Sequence, residues 1–298
     1  MSKKKVIEAI NIGDTLQFAL HLPSWTYMDE CPDFLNKLTL IHYITLYGNT
    51  AMLDLVLEHG ANLEVTANGE TPLLTSMHRK SWEMVRALLD RGANIHVRNG
   101  DLWTPLHYAC SNGVPVDIAA NIIEKGADVN AKTGVHSLWT PLHTACTFDR
   151  QDLAILLLKK GAMINVHDSE GLTPLHFACQ RNNLDMVKLL MHNGASLGAR
   201  DKRYWTPLHR AIECGHKDVV KYLVEIGAPI EDLDLEGNTP LHVAAIKEKY
   251  DMYDMLVSMG ADINALNKSS HTPEQEKPTV YKHVGTTVIR KGAKMSLN

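Results

Sequence analysis

The sequence predicts an all-α repeat solenoid, a stack of helix-turn-helix units, and three regularities predict it. Thr-Pro-Leu occurs six times, opened by Thr71, Thr104, Thr140, Thr173, Thr206 and Thr239, at intervals of 33, 36, 33, 33 and 33 residues. Gly-Ala recurs in step with it, at Gly60, Gly92, Gly126, Gly161, Gly194, Gly227 and Gly260. Between these marks each unit carries two short apolar stripes, and neither can be buried within its own unit. Neighbouring units must therefore share one continuous core. Stacks of this kind offer a long binding face and seldom a catalytic cleft.

The elements follow in order. Residues 1–38 read as a degenerate N-terminal capping repeat, with Val6, Ile7, Ile10, Phe18 and Leu20 as its apolar residues. Residues 39–271 read as seven repeats, starting near Thr39, Thr71, Thr104, Thr140, Thr173, Thr206 and Thr239. In the first, Leu40 stands where the others have Pro, and in the second Leu74 stands where most have His. The repeat from Thr173 to Ala195 shows the logic. Thr173 is placed to cap a helix, and Pro174 suits a first turn, where no N–H partner is needed. Leu175, Ala178 and Cys179 mark one face of that helix. Leu184, Val187, Leu189 and Leu190 mark the second helix, which Gly194 ends as a left-handed cap.

The turn between the two helices is less regular. Gly48, Gly113 and Gly215 occupy it in three repeats, while Lys80, Asp149, Asn182 and Glu248 replace Gly in four. At Lys80 and Glu248 the expectation is either a different turn or about 1 kcal/mol of strain. The 36-residue interval holds one extra residue near Val114-Pro115 and two between Lys132 and Trp139, so that second connection is expected to protrude or bend. Residues 272–298 read as a truncated C-terminal repeat and a basic tail. From residue 266 onward there are six Lys/Arg against two Glu, a net charge of 6 − 2 = +4. Val280 to Ile289 is expected either to pair as short strands or to lack fixed structure.

The formal net charge of −4 over 298 residues excludes a global attraction to nucleic acid or acidic membrane. No run approaches the roughly 18 apolar residues of a membrane span. Glu8, Asn11 and Asp14 interrupt what would be the apolar stretch of a signal peptide. Cys110, Cys146 and Cys179 recur at one packing position, too far apart for disulfides if successive helices lie about 8–10 Å apart. Cys214 and Cys31 fall in other registers. Free thiols are expected, and the sequon at Asn267 is expected to be unused. A soluble intracellular monomer, in cytoplasm or nucleus and without a cofactor, is the resulting expectation.

The pattern resembles the ankyrin repeat family. Thr-Pro-Leu-His is intact at 104–107, 140–143, 173–176, 206–209 and 239–242. Gly-Ala-Asp-Val-Asn-Ala at 126–131 and Gly-Ala-Asp-Ile-Asn-Ala at 260–265 match the family's repeat end. The resemblance covers roughly residues 5 to 275. It implies antiparallel helix pairs joined by β-hairpin fingers and curved into a concave surface. It also implies that the motif histidines bond to their motif Thr and to nearby backbone.

No residue set reads as catalytic. His42, His107, His143, His176, His209 and His242 recur about one repeat, near 10 Å, apart. Two zinc ligands must each come within about 2.1 Å of the ion, so successive copies cannot share one. Asp232-Leu-Asp234-Leu-Glu236-Gly237 begins like a calcium loop, but the twelfth position is Val243 rather than Glu. A solvated acidic connection is expected there. Phosphate-binding and nucleophile-elbow patterns are lacking, and no enzyme is expected.

The resemblance implies that finger tips and the ends of first helices contact a protein partner. By position these are Trp103, Trp139 and Trp205, with Lys202, Arg203, Tyr204 and His136 beside them, and Tyr47, Arg79, Phe148 and Arg181 at the helix ends. Trp, Tyr and Arg are the residues most enriched in interface hot spots. Each tryptophan has two readings: partner contact, or a ring that covers its own finger. The function expected is a non-enzymatic scaffold or adaptor whose partner is not identified. Alternatively, the tail recruits an effector such as a ubiquitin ligase, kinase or phosphatase. It could also bind nucleic acid or an anionic membrane through Lys277, Lys282, Arg290, Lys291 and Lys294, although nucleic acid is disfavoured by the near absence of stacking aromatics.

Overall fold

A computed structural model describes residues 2–24 and 38–277. Cys31, the segment Val280 to Ile289, and Lys282, Arg290, Lys291 and Lys294 lie outside the described residues. The chain divides into two compact units, Met1–Met163 and Ile164–Asn298. The first contains α1 (Ser2–Ile12), α2 (Thr15–His21), α3 (Leu40–Tyr47), α4 (Thr50–Glu58), α5 (Pro72–His78), α6 (Trp82–Asp90), α7 (Pro105–Asn112), α8 (Val116–Glu124), α9 (Pro141–Thr147) and α10 (Gln151–Lys159). The second contains α11 (Pro174–Gln180), α12 (Leu184–His192), α13 (Pro207–Cys214), α14 (Lys217–Glu225), α15 (Pro240–Ile246) and α16 (Tyr250–Ser258).

Two rows of helices result. In the first unit α3, α5, α7 and α9 pack in sequence, backed by α4, α6, α8 and α10. In the second, α11, α13 and α15 form the inner row. An inner helix such as α5 lies between two neighbours and its own partner, so it is buried nearly all round, from Pro72 to Met77. An outer helix buries one stripe, such as Leu153, Ala154 and Leu157 of α10. Ala109-Cys110, Ala145-Cys146, Ala178-Cys179 and Ala244-Ala245 are at most 1% exposed, and their small size lets inner helices approach closely. Cys110, Cys146, Cys179 and Cys214 are not in disulfides, and burial pushes the Cys110 thiol up to about 12.

At the N-terminus α1 packs on α3 and α2 on α4, with Val6, Ile10 and Phe18 buried. Leu20 departs from the expectation: it is 68% exposed, on the far side of α2 from Phe18. The inter-helix turn also differs from one of the two outcomes anticipated. Lys80 and Glu248 keep the left-handed turn, at φ 60° and 56°, as do Asp149 and Asn182, so strain is accepted rather than avoided. Gly48 is extended instead, at φ −92°. A Cβ there would lie 3.0 Å from both Cγ2 and the carbonyl oxygen of Ile44, so close approach, not handedness, calls for glycine.

Four of the motif histidines tie an inner helix to the next connection. The Thr hydroxyl lies 2.7–2.9 Å from Nδ1 at all six positions. The Thr backbone N–H donates to the same Nδ1 at 3.0–3.2 Å in five of them. Because that N–H can only donate, Nδ1 accepts and Nε2 carries the proton. Nε2 then donates to a carbonyl about one repeat ahead: His42 to Glu70, His107 to Trp139, His176 to Trp205 and His242 to His271, at 2.9–3.1 Å. The cap is reciprocal and rests mainly on the ring, since the His143 and His242 N–H groups reach the Thr oxygen only at 3.5 and 3.4 Å.

Burial lowers His107, His176 and His209 to about 4 each, and lowers His42 as well. The folded chain therefore holds these rings neutral where the unfolded chain, with its ordinary value of 6.5, takes up protons. Stability is expected to be fully present above pH about 6.5 and to fall between about 6.5 and 4, by roughly 1.4 kcal/mol per pH unit per histidine. Urea titrations across that window check this; a flat profile down to pH 5 would show that the rings are solvated. A second expectation concerns glycine. Gly171 and Gly194 both have positive φ, at 81° and 88°, but only at Gly171 would a Cβ press on backbone, 3.0 Å from Asp201 Cα and Lys202 N. Gly194→Ala should cost about 1 kcal/mol from handedness, and Gly171→Ala about 2 or more, read by chemical denaturation.

Candidate binding face on the fingers and inner-helix ends

Five of the connections are built around a short polar side chain five residues before the motif Thr. Asn99 Oδ1 accepts the N–H groups of Asp101 and Trp103. Asp168 Oδ1 does so for Glu170 and Leu172, Asp201 for Arg203 and Trp205, Asp234 for Glu236 and Asn238, and Asn267 for Ser269 and His271, at 2.8–3.1 Å. In the longer connection Thr133 Oγ1 takes the N–H of Trp139 instead. These side chains occupy amides that a strand ladder would otherwise pair. The expected hairpin fingers are accordingly tight turns: among the described residues the only bridge is Ala67 with Glu70.

Two residues before each motif Thr the backbone is left-handed: Gly69, Leu102, Leu138, Gly171, Tyr204, Gly237 and Ser270, at φ 53–81°. Fingers are then joined side by side. Gly134 N–H donates to Asp101 in the first unit, and Lys202 to Glu170, Leu235 to Arg203 and Lys268 to Glu236 in the second, at 2.8–3.1 Å. The sequence reading missed this register. The signal was present in Asn99, Asp168, Asp201, Asp234 and Asn267, and in the glycines that mark the left-handed position in three fingers.

In the first unit, Trp103 is half-buried, its ring edge-on to Tyr108 at 5.7 Å and 5.8 Å from His107. Trp139 is also half-buried, while His136 and Val135 reach outward, Val135 at 75% exposure, so the insertion widens this finger's tip. Tyr47 and Phe148 are exposed at 53% and 47%, and Tyr47 packs on Tyr43 with ring centres 4.8 Å apart. Tyr47, Thr75, His78 and the exposed Arg79 line a cleft with Glu70 at its floor. Glu70 accepts from the Tyr108 hydroxyl at 2.8 Å and from Thr75 at 3.3 Å, and lies 3.3 Å from His78. Burial and then Glu70 hold the Tyr108 hydroxyl well above its ordinary range.

In the second unit two expectations are corrected. Trp205 is 2% exposed and its ring is closed to a partner; of its two readings, packing is the one observed. Its Nε1 donates to Asp234 at 3.1 Å, the Arg203 guanidinium covers its face at 3.7 Å, and Arg210 and Lys247 lie at 5.0 and 5.9 Å. Asp234 is not a solvated acidic residue either: it is 7% exposed and also accepts the Asn238 side-chain amide. Lys202, Arg203, Tyr204 and Arg181 are exposed, with Lys202 3.4 Å from Glu170. Lys277, placed with the tail cations in the sequence, is paired with Glu274 at 2.6 Å and lies over Tyr253 at 3.8 Å. Replacing Asp234 by Ala should cost about 3 kcal/mol or more, because buried donors lose their acceptor; a loss under about 1 kcal/mol in urea titration would remove Asp234 as the organiser of this finger.

The chain can now be set beside known proteins. The family model described as ankyrin repeats matches residues 7–99, 41–133, 134–201 and 194–267. Protein phosphatase 1 regulatory subunit 27 of Homo sapiens is 53% identical over 49 residues, 16% of this chain and 31% of that protein. Transient receptor potential cation channel subfamily A member 1 of Drosophila melanogaster is 30% identical over 199 residues, 56% of this chain and 16% of that protein. The crystal structure of the human ASB11 ankyrin repeat domain matches with a TM-score of 0.64 at 26% identity, over 70% of this chain and 93% of that one. The chain spans less than a third of the length of these curated relatives. With four motif histidines each bonded to the connection of the following repeat, and repeats matched from residue 7 to residue 267, the chain belongs to the ankyrin repeat family.

Proposed function

We propose that this chain is a non-catalytic adaptor that holds a protein partner against the finger tips and inner-helix ends of its units. Ankyrin repeats are in general protein–protein interaction modules, and a relative similar over 49 residues is by its name a regulatory subunit of a phosphatase. The observation that carries the reading is the exposure of large apolar side chains in two registers of the repeat. Tyr47 and Phe148 stand out at inner-helix ends, and Leu102 and Tyr204, 43% and 49% exposed, at finger tips. Leu102 and Tyr204 hold left-handed backbone where Gly69, Gly171 and Gly237 do so without a side chain. Each is retained at about 1–2 kcal/mol of strain, in a place where glycine would relieve it. Aromatic residues with little entropy to lose are effective partner anchors.

Alanine at Tyr47 and Phe148 together, and separately at Tyr204, should reduce recovery of a cross-linked partner from lysate by about ten-fold or more, with melting temperatures within a few degrees of the parent. Unchanged recovery by both folded variants would remove these finger tips and helix ends as binding sites.

A further inference from the structure

The exposed part of the second unit's central finger is cationic, and its carboxylates are occupied. Asp201, 1% exposed at its side chain, and Glu213 both bind Arg210, at 2.5 and 3.2 Å. Glu213 also binds Lys247 at 2.9 Å, and Glu170 faces Lys202 at 3.4 Å. Asp234 spends its acceptors on the Trp205 indole, the Asn238 amide and two turn N–H groups. Arg203 is the cation left over. It is exposed, and its guanidinium has no carboxylate and no acceptor among the described residues. Behind it the buried Arg210 Nε also lacks an acceptor, so the cluster holds more N–H donors than it can use.

Arg203 is nevertheless held in place. Its guanidinium lies over the Trp205 ring at 3.7 Å, a cation–π contact that restrains a flexible side chain. A guanidinium fixed in this way presents a planar fork that matches a carboxylate, with little ordering cost left at binding. Tyr204, and Leu235 of the next finger at 43% exposure, flank it with apolar surface. Leu235 N–H donates to the Arg203 carbonyl at 3.1 Å, which fixes the two fingers in register.

We infer that the Arg203–Trp205 stack is a carboxylate anchor for an acidic, leucine-bearing segment of the protein partner. This rests on the adaptor reading above and names the chemistry of what that face holds. The Trp205 ring acts through Arg203: it positions the guanidinium and stays covered.

The test is fluorescence anisotropy on the full chain with a fluorescein-labelled Glu- and Leu-rich peptide, its Glu→Gln counterpart, and a labelled single-stranded oligonucleotide. The parent should bind the Glu peptide and not the Gln peptide. Arg203→Gln should weaken binding about ten-fold or more, Arg203→Lys should fall between, and Lys125→Gln on the first unit should leave it unchanged. A thermal melt confirms that each variant is folded. Equal binding of the Glu peptide by Arg203→Gln and parent overturns the anchor, and so does a parent that does not prefer Glu to Gln. Tighter binding of the oligonucleotide through Arg203 overturns it in favour of phosphate. Loss of cross-linked partner in Tyr204→Ala but not in Arg203→Gln would sink the anchor while leaving the adaptor reading intact.

Discussion

The interaction on which the rest depends is the buried histidine bridge. One neutral imidazole closes the start of an inner helix through Nδ1 and holds the next connection through Nε2, as His107 does between Thr104 and the Trp139 carbonyl. A buried N–H or carbonyl without a partner costs about 1–3 kcal/mol. The bridge satisfies three such groups with one side chain, and it does so across the junction of two repeats. It therefore sets the spacing between inner helix and finger. Its demand is that the ring stay dry and neutral, which burial enforces at His107 and His176. A charged ring could not accept from the Thr N–H, and the bridge would open at its helix end.

From that fixed spacing the fingers follow. Where the residue before the motif Thr is held by its carbonyl, as at Glu70, Trp139, Trp205 and His271, the chain must reverse within a few residues. An Asp or Asn five positions before the Thr closes the reversal by accepting two amides. The left-handed residue two positions before the Thr is the geometric consequence. Where the next finger's backbone presses close, as Asp201 and Lys202 do on Gly171, only glycine fits. At Leu102 and Tyr204 the same left-handed backbone carries a side chain, and both side chains stand in solvent.

The period of the motif made the inner and outer helices legible, because Thr-Pro-Leu-His and Gly-Ala are local signals with local causes. Side-chain exposure was not legible at the same level. Trp205 and Trp103 occupy one register in the sequence, yet Trp205 is covered by a cation two residues away and Trp103 is half-buried on Tyr108. That difference depends on Arg210 and Lys247 from two different helices, which no spacing rule brings together. Asp234 was misread for a related reason: an acidic residue in a connection looks solvated until the indole N–H and turn amides that surround it are seen. Leu20 and Gly48 failed through geometry, one by facing away from a small core and the other by close approach to Ile44.

These constraints divide each finger into two kinds of position. In the second unit Asp201, Trp205 and Thr206 are buried and hold the turn, whereas Lys202, Arg203 and Tyr204 between them are exposed and free of that duty. The same three places read Ser169, Glu170 and Gly171 in one finger and Leu235, Glu236 and Gly237 in another. Charge and size vary there because the backbone is already fixed by the flanking residues. At the first two of these places partner chemistry can therefore change from finger to finger at little cost in stability, provided the buried acid, the tryptophan or its equivalent, and the histidine bridge are kept, whereas the third is limited by its left-handed backbone. Arg203 is where the two roles meet: the ring that helps to pack the finger also holds the one cation of its cluster that has no carboxylate among the described residues.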